Sequence, residues 1–135
     1  GYAARAAAAL AETDRALLLA GASLALGWEV DDRFGQAINL RLLLGLFQQA
    51  DDDFGFAAGL ALYRVVLGQL GDEQRQAEMD HLWRQPEARV PAEILAAVVA
   101  DPRAAIQHAL AGARQRFGDG DPLVREWRNT GAAEE

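Results

Sequence analysis

Few residues of this 135-residue chain have the types and spacing that chemistry requires. Glu78-Met79-Asp80-His81 sets a carboxylate and an imidazole three residues apart. On a helix that spacing puts both on one face, as in di-iron carboxylate bundles. Such a site needs a second Glu-x-x-His pair, and the other histidine, His108, has Ala105 where the glutamate belongs. Asp51-Asp52-Asp53 could hold a cation, but aspartates directly ahead of an apolar run are read as helix caps. The run Gly118-Asp119-Gly120-Asp121 lacks the ligand series and closing glutamate of a calcium loop. Ser23 lies in an apolar stretch with no histidine near it in sequence, so no nucleophile–base pair is visible. No glycine-rich loop follows a strand. Without cysteine, disulfides and thiolate metal sites are excluded. The expectation is a protein with no metal, no cofactor and no enzymatic activity.

Two arginines interrupt otherwise apolar stretches, Arg41 in NLRLLLGLF and Arg64 in LALYRVVLG. A guanidinium drawn into apolar surroundings needs a partner. Both are expected to be structural, as ion-pair partners of Asp14, Asp32 or Glu78 or with the guanidinium snorkelling outward to water. The alternative aims Arg41 and Arg64, with Asn39 and Tyr63, at the acidic group of a small molecule held in an apolar pocket.

These residues ride on helices. Alanine and leucine dominate, and both favour the helix. The segments 31–50 and 51–70 echo each other at an offset of twenty: Asp31/Asp51, Asp32/Asp52, Phe34/Phe54, Gly35/Gly55, Leu40/Leu60 and Leu42/Leu62 coincide. Each half reads as a helix opened by aspartate, over about 33–49 and 54–70, so the pair is a helical hairpin. Residues 2–28 form a first helix, with Leu10, Leu17 and Leu24 seven apart. Its second half, from Ala16 to Trp28, is apolar all round and is expected to be buried on every side. Gly71-Asp72 stops one helix and starts a fourth, about 72–84. Pro86 to Pro91 reads as a linker. Helices are then expected after Pro91, after Asp101-Pro102 and, shortest, after Asp121-Pro122 with Leu123, Val124 and Trp127, ahead of an acidic tail at 130–135. No strand is expected, since period-two alternation is nowhere sustained.

The fold expected is a single all-α domain over 1–135, of six or seven helices, orthogonal or bundle-like. Residues 1–85 make the main bundle and 92–129 a C-terminal cap, too short to fold alone. A net charge of −7 provides no basic face for nucleic acid. The longest charge-free run falls short of the ~20 residues that span a bilayer. Arginine in place of every lysine, with abundant alanine, points to a GC-rich bacterial genome, and a cytoplasmic location is expected, the periplasm being compatible with the same composition.

The function expected is a non-enzymatic interaction module: an adaptor, an immunity-type inhibitor or an assembly factor. Three helices carry more apolar surface than a chain this size can bury, so part should emerge as a patch and be covered by a protein partner or a second copy. Gly55 and Gly59 allow close helix approach, and with Phe56 and Tyr63 beside them they are the expected interface centre.

Overall fold

The computed structural model describes residues 2–117, and among these it holds seven helices and no strand. They are α1 (Tyr2–Glu29), α2 (Arg33–Gln49), α3 (Asp53–Leu70), α4 (Glu73–Leu82), α5 (Arg84–Arg89), α6 (Ala92–Ala100) and α7 (Pro102–Phe117). The last short helix and the acidic tail expected from the sequence lie outside the described residues.

The echo at twenty residues is a property of the helix junctions. Asp31 and Asp51 both take a left-handed backbone, at φ 53 and φ 55. Each ends the helix before it: Asp32 N–H reaches back to Gly27 O and Asp52 N–H to Phe47 O, closing the six-residue turn of a Schellman cap. The second aspartate of each pair then opens the next helix. The Asp32 carboxylate accepts from Gly35 N–H, and that of Asp52 from Gly55 N–H, both at 2.9 Å. Gly71-Asp72 is a third copy on the same period. Gly71 sits at φ 75 and Asp72 accepts from Arg75 N–H at 3.0 Å. Asp101 caps α7 likewise, through Ala104 N–H at 3.1 Å.

Such tight junctions make α1, α2 and α3 antiparallel neighbours. Gln36 Nε2 donates to Gly27 O, and Asn39 Nδ2 to Ser23 Oγ, fastening α2 to α1. Helix α7 closes a four-helix ring between α3 and α1. It runs antiparallel to α1, with Arg103 over the Trp28 ring at one end and Arg116 on Asp14 at the other. Leu17, Leu24, Leu40, Leu43, Phe47, Leu60 and Ile106 have no exposed surface and fill the ring.

Helices α4, α5 and α6 pack on the outer side of α3. The helix enclosed all round is therefore α3, buried without interruption from Gly55 to Tyr63. This corrects the expectation for α1, whose Leu19 and Leu26 lie on the surface. A second correction concerns the linker. Residues 84–89 form α5, and Pro86 is buried in its first turn, where a missing N–H leaves no helical bond unmade. Among the described residues no helix is long and apolar enough to cross a membrane.

Candidate functional site

Helix α2 carries two apolar stripes, and only one of them faces the core. Leu40, Leu43, Leu44 and Phe47 are buried. Phe34, Ile38 and Leu42, four residues apart, form an outward ridge; Phe34 is 72% and Ile38 70% exposed. Leu19 and Leu26 on α1, with Val30 in the turn just past its end, make a matching exposed ridge. The Asn39–Ser23 hydrogen bond lies on the flanks by which the two helices meet, so the ridges run side by side. Together they expose on the order of 600 Å² of apolar surface, at the upper end of the largest patch on an ordinary monomer. No charged residue interrupts α1 between Arg15 and Glu29.

The glycine notch is internal. A Cβ on Gly55 would stand 2.3 Å from the Phe47 ring, and one on Gly59 3.2 Å from Leu44. Both glycines therefore serve the α2–α3 crossing inside one chain. Phe56 is buried and Tyr63 only 2% exposed. This corrects the expectation of an interface centre there, because these side chains have almost no surface left to offer.

The arginines separate. Arg64 Nε donates to Asp80 Oδ1 at 2.7 Å, and its guanidinium lies 5.1 Å over the Trp83 ring. It is a structural partner, though of Asp80 and not of the acids expected. Asn39 is likewise occupied, on Ser23 Oγ and Gly35 O. Asp14, an expected partner of Arg41 or Arg64, instead takes Arg116 at 2.9 and 3.3 Å. That hydrogen bond is the main cause of a raised Arg116 pKa; desolvation opposes it, and the charges of Asp14 and Asp52 reinforce it. Arg41 is exposed on α2 and has no hydrogen bond or ion pair among the described residues, so it is not the ion-pair partner expected and its guanidinium reaches water instead.

Arg41 lines a groove of about 330 Å³ between α2, α3 and α4. Tyr63 lines it too, and its hydroxyl has no hydrogen-bond partner among the described residues. Arg75 and Glu78 add charge to the rim, and Leu44, Met79 and Leu82 add apolar wall. A second cavity, of about 220 Å³, borders Asp51, Asp52 and Asp53. Two of those carboxylates are committed, Asp52 to its cap and Asp53 to Arg89 at 3.4 Å. Glu78 and His81 sit on exposed positions of α4, and His108 meets the Phe54 ring edge-on at 5.7 Å. Among the described residues no three His, Asp or Glu side chains gather as a metal-binding group.

No protein-family model, no curated protein and no solved structure matches the chain.

Proposed function

We propose that this chain is a non-enzymatic protein-interaction module, of the adaptor, inhibitor or assembly-factor kind, that docks through the outer face of α1 and α2. The observation that carries this reading is the pair of exposed ridges, Leu19, Leu26 and Val30 beside Phe34, Ile38 and Leu42. At ~25 cal/mol per Å², removing on the order of 600 Å² from water is a driving force large enough to hold two proteins together, after the cost of immobilising them.

The occupant that fits best is a second copy of the chain. An isologous two-fold contact joins a face to itself, so the face must not bring like charges together. In a chain of net charge −7, most surfaces would. This one is uncharged at its centre, with the acids Glu29, Asp31 and Asp32 at one end only. With a polar rim the face approaches the ~800 Å² per partner of a standard interface.

Light scattering behind size exclusion tests this at micromolar concentration. The wild type is expected at roughly twice 14.5 kDa. Phe34→Glu and Ile38→Glu, both outside the core, should run as single chains with unchanged circular dichroism. A monomeric wild type, or a dimer indifferent to both substitutions, contradicts the reading.

A further inference from the structure

We infer that the groove between α2, α3 and α4 is a binding site for a small monocarboxylic acid with an apolar body. The site is separate from the α1/α2 face and does not depend on it.

The first support is Tyr63. Its side chain is almost wholly buried and lines the groove, yet its hydroxyl has no partner among the described residues. Buried polar groups are nearly always satisfied, so an unmatched hydroxyl marks a place where a polar atom belongs. The second is Arg41, a cation on the same groove with neither carboxylate nor carbonyl bound. Arg75 stands on the opposite wall, held only loosely, 3.9 Å from Asp72. A guanidinium's planar fork matches the two oxygens of a carboxylate, and the tyrosine hydroxyl can donate to one of them. The third support is the apolar lining of Leu44, Phe56, Met79 and Leu82, which suits a hydrocarbon or aromatic body. Glu78 on the rim repels a second negative charge, which selects a monocarboxylate over a phosphate or a dicarboxylate. A volume of about 330 Å³ is at the small end for ligand sites, so the ligand is small.

The test is calorimetric titration of the full chain with sodium octanoate and, separately, with octanamide, which has the same body and no charge. Octanoate is expected to bind saturably, one per chain, and octanamide at least about tenfold more weakly. Arg41→Met and Tyr63→Phe should each weaken octanoate by about tenfold or more. Tyr63→Phe should keep the wild-type melting temperature or raise it, since it removes an unpartnered buried hydroxyl; lost binding then cannot be blamed on lost fold. Three results would each overturn the site. One is no saturable binding of octanoate up to ~10 mM. Another is octanamide binding as tightly as octanoate. The third is wild-type affinity in both variants, which would put octanoate on the exposed α1/α2 face or elsewhere.

Discussion

Replacing Gly55 by alanine sets two calculable effects against each other. Alanine in a helix interior is favoured over glycine by roughly 0.8–1.0 kcal/mol. Gly55 is the third residue of α3, so it collects only part of that gain, and the gain meets steric opposition. The new Cβ would lie 2.3 and 2.5 Å from two carbons of the Phe47 ring, and 2.8 Å from the Asp52 carboxylate that caps α3. Phe47 has no exposed surface, so its ring can yield only by displacing core neighbours or by moving toward the cavity beside Asp51 and Asp52 that it lines. Overpacking of this kind costs about 1–3 kcal/mol, and a disturbed aspartate cap adds about 0.5–2. The steric side wins, and Gly55→Ala should destabilise the fold by about 1–3 kcal/mol. Gly45→Ala is the control, because a Cβ there meets nothing within 4 Å. It carries the propensity gain alone and should stabilise by roughly 0.5–1 kcal/mol. Urea unfolding followed by circular dichroism measures both. Equal stabilisation by the two substitutions would refute the close α2–α3 crossing at Gly55.

The Asp14–Arg116 pair should show as coupling. Asp14 is 2% exposed while Arg116 is partly in solvent, so Arg116→Met should cost about 1–3 kcal/mol, below the figure for a fully buried pair. Asp14→Leu in the same chain should recover part of that loss, and a double-mutant cycle with coupling near zero would remove the pair from the account. At the junctions, Asp51→Gly should stabilise by up to about 1 kcal/mol by relieving a left-handed backbone, whereas Asp52→Ala should destabilise by about 1 kcal/mol through its lost cap. Thermal melts showing the same sign for both would contradict the division of labour within the aspartate pair.

The helix boundaries were legible because their signals are local. A capping aspartate marks each start, at Asp32, Asp52 and Asp72, and Gly71 marks a stop. The left-handed backbone at Asp31 and Asp51 carries no such signal, since aspartate there reads equally as a cap. Gly71-Asp72 reads from the sequence as a stop and a start, but its membership of the same series emerges only from the shared backbone geometry. Pro86 misled because proline breaks a helix interior but is tolerated in a first turn, and only the start of α5 decides which applies. The surplus of apolar surface was also legible, since three such helices cannot all be enclosed. Its location was not. Phe34-Ile38-Leu42 and Leu40-Leu44-Phe47 are equally good stripes on paper, and which one faces inward depends on where α3 and α7 pack. The notch at Gly55 and Gly59 had the right spacing for close approach, but spacing cannot say whether the approaching side chain belongs to the same chain. Asp14 and Arg116 stand 102 residues apart, and no periodicity links them. Arg41 and Tyr63 both stood out in the sequence, and the folding of α4 over α3 brings them to one groove.

The central claim is that the α1/α2 face meets its own copy, and a single introduced cysteine tests it most directly. The described residues contain no cysteine, and neither does the sequence beyond them, so one thiol reports one position. Ile38→Cys lies in the middle of the α2 ridge, and Val99→Cys, on α6, is exposed on a different element. Treated with a short bismaleimide at micromolar protein, Ile38→Cys is expected to give a covalent dimer in high yield and Val99→Cys only traces. Comparable yields at the two positions, or no dimer at Ile38→Cys, would contradict the account.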